Sequence, residues 1–402
     1  MAGGLFSRLR YWLFAGEKPP GEPSGAKPEA EPEQSASQPG PRGVSNPIRD
    51  GQPSLALERL QRWRGRYLSA RRNAVREALL RLEAPDCDEA EREGLLALLR
   101  DTEASGVTEG LVRKANSKVL PLEGVASFRE SIALRSRRGQ LAGSAPEWKL
   151  NNKARGYKFV AKWDIPHPRV FQEKAGLADL ETRTAVVIKP MSGAGSRGVY
   201  LVLGDGRVFE PKRGQWLDDW QAMTLAMQVD LESGRVRHDR WMVEELVTED
   251  EAGLRPGRDL KFYCFFGKVG LVLEVDRWQR QAYCEWDDSG NQVFSGKYDE
   301  QRFEGEGVSA EQIKLVAKLS RRIPAPFIRI DFLRSAHTES GLSFCEFTPR
   351  PGNFHRFGQE TDRRLGELYL EAEARLQRHF LKGKRFPSPF SPPSPKKSPP
   401  RP

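Results

Sequence analysis

Along residues 327–353, FIRIDFLRSAHTESGLSFCEFTPRPGN, apolar and polar positions alternate, break at a polar centre and then alternate again. Side chains two apart in a strand share a face, so the stretch predicts two strands joined by a hairpin loop. Arg329 and Asp331 then share one face of the first strand, and Glu346 and Thr348 share one face of the second. Around them stand Phe327, Ile328, Ile330, Phe332, Leu342, Phe344 and Phe347. Two acids inside such apolar runs are costly to bury unless a cation lies between them. A hard divalent cation that shares its shell with a phosphorylated substrate meets that need. An antiparallel hairpin with one solvated face accounts for the same residues.

Upstream the period is different. Leu57, Leu60, Tyr67, Leu68, Val75, Leu79 and Leu82 recur near 3.6 residues and predict a long helix starting at Leu55. A second helix follows around Leu95 to Leu99, after the break at Pro85, and further helical pieces reach about Ala145. From Trp148 the texture becomes mixed helix and strand. Residues 152–163 predict a short helix bearing Lys153 and Lys158, and IPHPRVF leads into a strand. AVVIKPMSGAGSRGVYLV reads as a strand ending at Lys189, a loop with Gly193, Gly195 and Gly198, and a second strand. RWMVEELV (240–247) is a further strand, and DLKFYCFFGKVGLVLEVDR (259–277) is two strands turning at Gly267. Residues 311–322 and 364–382 predict helices.

The two ends differ from this core. Residues 17–54 are rich in Pro, Gly, Ser and Glu without aromatics, which marks a disordered linker. Residues 1–16, MAGGLFSRLRYWLFAG, place Leu5, Phe6, Leu9, Trp12 and Leu13 on one helical stripe flanked by Arg8 and Arg10. That segment suits an interfacial position on a membrane or a disordered, partner-docked terminus. The tail RFPSPFSPPSPKKSPPRP is a basic polyproline-type segment. The expected organisation is therefore a disordered region at 1–54 with a short amphipathic segment, a helical segment at 55–145, an α+β domain at 146–382 and a disordered tail at 383–402.

Composition narrows the partners. The net charge of +10 permits attraction to nucleic acid, anionic lipid or acidic polymers. The arginines at 59, 62, 64, 66, 71, 72, 76 and 81 are concentrated on the long helix, but few aromatics are interleaved with them and no nucleic-acid motif is present. They read as a solvated basic face, and no specific nucleic-acid partner is expected. No apolar run reaches the length of a membrane span. Cys87, Cys264, Cys284 and Cys345 have no metal-type spacing, so they are read as reduced thiols in a cytoplasm.

The glycine loop after Lys189 is suited to bringing backbone amides close to phosphate. It is not a Walker loop, because the lysine precedes the glycines. Taken in order, VVIKPMSGAGSRGV, MVEELV with DLKFYCFFGKVGLVLEVDR, VAKLSRRIPAPFIRIDFL, and LSFCEFTPRPGNFHRFGQETDRRLGELYLEA resemble the ATP-grasp superfamily. They are most similar to its TupA-like amidoligase branch, over roughly residues 148–375. The resemblance implies two α+β subdomains gripping ATP, here preceded by a helical segment and flanked by disordered termini. It implies that Lys153 or Lys158, together with Lys189, reaches the phosphates beneath a lid containing Gly193, Gly195 and Gly198. It further implies that Glu244, Glu245 and Val247 frame the adenine and that Lys261 contacts phosphate or ribose. Asp331 and Glu346 match the magnesium ligands, with Thr348 where many relatives carry a metal-binding Asn. Arg329 matches a residue that steadies the transferred group.

The expected function is thus an ATP- and Mg2+-dependent ligase joining a carboxylate to an amine through an acyl phosphate. A cell-surface polysaccharide or a peptide polymer is the expected product, with peripheral contact to the inner face of an anionic membrane. Transfer that stops at a phosphorylated acceptor and a non-catalytic nucleotide-binding scaffold are the alternatives. The oligomeric state is not specified by these residues.

Overall fold

A computed structural model describes residues 45–118, 123–191, 196–278, 281–298, 300–352 and 356–390. The amphipathic segment at 1–16, Gly193, Gly195 and the end of the tail lie outside these residues.

Residues up to Tyr67 form one unit and residues from Leu68 another. The first holds α1 (Ser45–Arg49) and the opening turns of α2 (Pro53–Arg81). Residues 45–54 were expected to belong to a disordered linker, and this part is corrected: it contains α1 and the start of α2. Asn46 and Pro47 carbonyls accept from Asp50 N and Gln52 N, closing a local turn that needs no large core.

In the second unit the remaining turns of α2 pack Val75, Ala78 and Leu79 with Leu99 of α3 (Glu89–Arg100). The predicted break lies between them, and Asp88 caps α3 by accepting from Glu91 N at 2.8 Å. The helical stretch continues as α4 (Glu109–Lys118) and α5 (Phe128–Ala142), then α6 (Lys153–Val160).

The first sheet is antiparallel, in the order β1-β6-β2-β3-β4-β5. Its strands are β1 (Val170–Ala175), β2 (Val186–Pro190), β3 (Tyr200–Val202), β4 (Val208–Glu210), β5 (Gln215–Leu217) and β6 (Trp241–Glu245). Met223 and Met227 of α7 (Trp220–Glu232) pack on Val186, Ile188, Tyr200, Trp241 and Val243.

The second sheet is also antiparallel, in the order β11-β10-β7-β8-β9. It comprises β7 (Asp259–Cys264), β8 (Val269–Asp276), β9 (Ala282–Trp286), β10 (Ile328–Arg334) and β11 (Leu342–Thr348). One face carries Leu260, Phe262, Ile330, Phe332 and Phe344 into a core with α6 and α8 (Ala310–Ser320). The other carries Tyr263, Leu271, Leu273 and Val275 into a core with Phe128 and Ile132 of α5 and Leu365 and Tyr369 of α9 (Gln359–Leu381). Cover on both faces explains why seven of the eight residues of β8 are buried and why it does not alternate.

The β7–β8 turn falls where expected. Phe265 and Lys268 exchange backbone hydrogen bonds, and both central residues have positive φ, 38° at Phe266 and 96° at Gly267. The last helix begins at Gln359 rather than at residue 364. Residues 383–390 were assigned to a disordered tail; instead Phe386 is buried and Phe390 packs edge-on against Phe159 at 5.8 Å. Two aromatic rings can anchor a Pro-rich segment that polar residues alone could not.

Candidate functional site

The site grows from the pairing of β10 with β11. Asp331 lies directly opposite Glu346, and Arg329 opposite Thr348. The register slips between Asp331 and Phe332, because Phe332 pairs with Phe344 and leaves Cys345 without a partner. This bulge has a chemical consequence. In an unbroken strand Phe344 and Glu346 would face the same side. With the extra residue inserted, Phe344 enters the apolar core and Glu346 turns to the opposite face beside Asp331.

β7 completes the floor, with Lys261 opposite Asp331 and Tyr263 opposite Arg329. Asp331 is fully buried. It accepts from Arg329 Nε at 2.7 Å and Nη2 at 2.6 Å, and from Lys261 Nζ at 3.3 Å. Burial alone would raise its pKa, but Arg329 and then Lys261 outweigh that and hold the carboxyl below the usual range. Thr348 Oγ1 accepts from Arg329 Nη2 at 3.2 Å and donates to Asp331 Oδ2 at 3.4 Å. Lys261 Nζ also donates to Asp259 Oδ1 at 3.1 Å, and Arg277 Nε to Asp259 Oδ2 at 2.6 Å. Burial works against the Lys261 ammonium, yet Asp259 and Asp331 raise its pKa.

A second set of residues approaches from β11's outer side. Lys153, at the start of α6, places Nζ 3.6 Å from Glu346 Oε2. Asn152 caps this helix by accepting from Arg155 N at 3.1 Å, which sets where Lys153 emerges. Lys189 of β2 donates to Glu244 Oε1 of the neighbouring β6, and Tyr157 OH donates to Glu244 Oε2 at 2.9 Å. Burial, followed by the nearby Lys153 ammonium, pushes Lys189 well below an ordinary lysine.

Of the sequence-derived residues, these contacts pair Lys153 with Glu346 and Lys189 with Glu244, and tie Lys261, Arg329 and Thr348 to Asp331. Others are not part of them. Lys158 is exposed and has no ion pair or hydrogen bond among the described residues. Glu245 accepts from Arg169 N at 3.1 Å, and the carbonyl of Val247 accepts from Gly257 N at 2.9 Å. Gly198 has φ +68°, and a Cβ there would come within 2.5 Å of Val236, so packing alone requires glycine.

Sequence reasoning missed Asp259, Arg277, Tyr157 and the bulged Cys345. Asp259 had a signal, since it precedes Lys261 by two and shares its face of β7. Cys345 had one too: Leu342, Phe344 and Phe347 break the two-residue period at that point.

The donor set fits a nucleotide with magnesium. Asp331, Glu346 and Thr348 offer hard oxygen atoms on one face, as a magnesium ion prefers. Among the described residues no group of three acids, histidines or cysteines closes around a metal. An ion held by two carboxylates takes its remaining ligands from phosphate and water. With Arg277 and Asp259 counted, Lys153, Lys189, Lys261, Arg277 and Arg329 still outnumber Glu244, Asp259, Asp331 and Glu346, which favours a polyanion.

The sequence model of the TupA-like ATP-grasp family matches residues 130–370, more than half of the chain. The chain belongs to that family, and its two antiparallel sheets with their helices form the α+β arrangement that the resemblance implied. No curated protein sequence matches it. Among solved structures it is similar to D-alanine–D-alanine ligase from Bacillus anthracis complexed with ATP, at 16% identity and a TM-score of 0.34, over 57% of this chain and 68% of that one. It is similar also to the VanG D-Ala:D-Ser ligase from Enterococcus faecalis, at 14% identity and a TM-score of 0.33, over 56% and 61% of the two chains. A third is the ATP-grasp ligase PsnB complexed with a phosphomimetic variant of minimal precursor, Mg and ADP, at 13% identity and a TM-score of 0.33, over 61% and 71%. At these scores the family match carries the assignment.

Proposed function

We propose that this chain is an ATP- and magnesium-dependent carboxylate–amine ligase acting in the synthesis of a cell-surface polysaccharide or peptide polymer. The observation that carries the reading is Asp331 set directly opposite Glu346 on a floor ringed by Arg329, Lys261 and Lys153. When bound, ATP with magnesium would supply a phosphoryl group that converts a carboxylate into an acyl phosphate with release of ADP, and an amine would then displace phosphate to form the amide.

The chain's own part is positioning and charge. Asp331 and Glu346 hold the metal, with Thr348 beside them, and Lys261 with Arg329 keeps Asp331 ionised. Lys153 and Lys189 bind phosphate oxygens, and Glu244 fixes where Lys189 points. Arg329 neutralises charge that builds on the transferred group. Backbone groups at 245–247 frame the adenine, and the 193–198 loop covers the phosphates.

One feature supports an anionic polymer or membrane nearby. Leu60, Trp63 and Tyr67 are exposed along α2 at helical spacing, and Arg59, Arg62 and Arg66 flank them. Among the described residues no helix is long and apolar enough to cross a membrane.

The test is phosphate release from ATP and magnesium against pooled amino acids and uronic-acid glycans. Release that needs both an acid and an amine, and that falls about a hundredfold or more in a folded Asp331→Asn variant, is expected. Undiminished release in that variant rejects the metal assignment.

A further inference from the structure

A second charged cluster lies at the far edge of the same sheet. Lys153 and Glu346 mark the β11 edge, whereas Glu285 sits on β9 at the opposite edge. The chain after β9 returns over this edge and carries Lys297, whose ammonium lies 4.8 Å from the ring centres of both Tyr298 and Phe357. Tyr298 stacks on Tyr283 of β9 at 4.1 Å, and Phe357 packs on Tyr263 at 5.8 Å. Tyr263 is the residue opposite Arg329. One aromatic layer thus separates Lys297 from the Arg329–Asp331 centre.

Among the described residues the charge here is unbalanced. Burial, then Arg329, push the Lys297 ammonium down to about 8; Glu285 opposes this and Arg356 adds to it. Asp331 already answers Arg329, and Glu285, the acid beside Lys297, already accepts from Ser295 N at 3.0 Å and Ser295 Oγ at 2.5 Å. Lys297 itself shows no ion pair among the described residues. A half-buried ammonium held between ring faces, with further cations near, attracts an anion strongly because little water screens it.

We propose that Lys297, with the rings of Tyr283, Tyr298 and Phe357, binds a free carboxylate of the reactant that approaches from the side opposite the nucleotide. The inference rests on the ligase reading above, since it places the two reactants on either side of Arg329 and Asp331. The lysines proposed for the nucleotide's phosphates stand at the other edge, so the charge at this edge is left for the other reactant. The ring faces give it flat apolar walls, and the ammonium gives it a single point of charge.

Calorimetry on the full chain, with magnesium and a non-hydrolysable ATP analogue present, tests this. The probes are glutarate and D-glucuronate, paired with the neutral glutaramide and D-glucuronamide. We expect an acid to bind and its amide not to, with whichever acid binds distinguishing a peptide-like from a sugar-acid source. Lys297→Met should weaken the acid about tenfold or more, and Lys297→Arg should restore part of it, while nucleotide affinity stays within about twofold in both. Amides that bind as well as the acids, or a Lys297→Met loss felt by the nucleotide instead, overturn the proposal without any reliance on variant stability. Failure of every acid while the nucleotide binds also overturns it and leaves the ATP site intact. Failure of the nucleotide itself would count against the ligase reading.

Discussion

Lys153 Nζ lies 3.6 Å from Glu346 Oε2, joining the first turn of α6 to the strand that carries the second acid of the site. Lys158, five residues further along the same helix, is exposed and apart from this contact. The two lysines, equivalent candidates in the sequence, therefore stand in different surroundings. Lys153→Ala should weaken magnesium-nucleotide binding about tenfold or more, because a charge-assisted contact is lost. Lys158→Ala should leave it within about twofold, as for an exposed charge. Nucleotide titration of both variants checks this, and equal losses would reject the division.

Asp259 links Lys261 to Arg277, and its acidity ties stability to pH. Burial raises its pKa, but Lys261 and Arg277 outweigh that and hold the carboxyl well below its usual range. An unfolded aspartate titrates near about 3.9, so below that pH the unfolded chain binds the proton that the native chain refuses. The pair's contribution is complete above about 4 and is lost as pH falls through the folded value. Asp259→Asn should flatten that acid-side loss, read as the urea midpoint measured from about pH 5 down to about pH 2.5.

Gly366 lies inside α9, where alanine is the better helix former by about 1 kcal/mol. A Cβ there would meet Ser127 N at 2.5 Å and Ala126 C at 2.7 Å. Those atoms are backbone, held in place because Asp362 accepts from Ser127 Oγ at 2.7 Å and Arg129 N at 2.8 Å. The clash should win over propensity, so Gly366→Ala should destabilise the fold by about 1–3 kcal/mol. A gain in the urea midpoint would mean that the 126–128 turn yields easily.

Arg135 of α5 is buried and donates to the carbonyls of Phe327 and Pro349. These flank the start of β10 and the end of β11, so one guanidinium clamps the two open ends of the hairpin that bears Arg329, Asp331, Glu346 and Thr348. Its partner Glu147, 3.4 Å away, is also buried. Arg135→Met should cost about 3–5 kcal/mol, since it strands an acid in the interior. Adding Glu147→Gln should recover part of that loss in a double-mutant unfolding cycle.

Much of this was legible in one dimension. Alternation alone placed Arg329 with Asp331 and Glu346 with Thr348, and the strand ending at Lys189 and the turn at Gly267 fall where their patterns put them. The first sheet was only partly legible: β4 and β5 went unseen because their segments are short or interrupted by charge, and α7 because exposed Leu225 and Val229 blur the period set by buried Met223 and Met227. β9 was missed for the same reason as β4 and β5.

What the sequence by itself determined is which side chains share a face along an unbroken run of strand, such as Arg329 with Asp331 and Glu346 with Thr348, because that follows from a local period of two. What only the tertiary structure decided is which face that is. Leu342, Phe344 and Phe347 can all reach the core only if the strand gains a residue at Cys345, and that insertion turns Glu346 across to Asp331. Likewise, the choice of Lys153 over Lys158 depends on how α6 lies against β11, a long-range packing that no local pattern encodes.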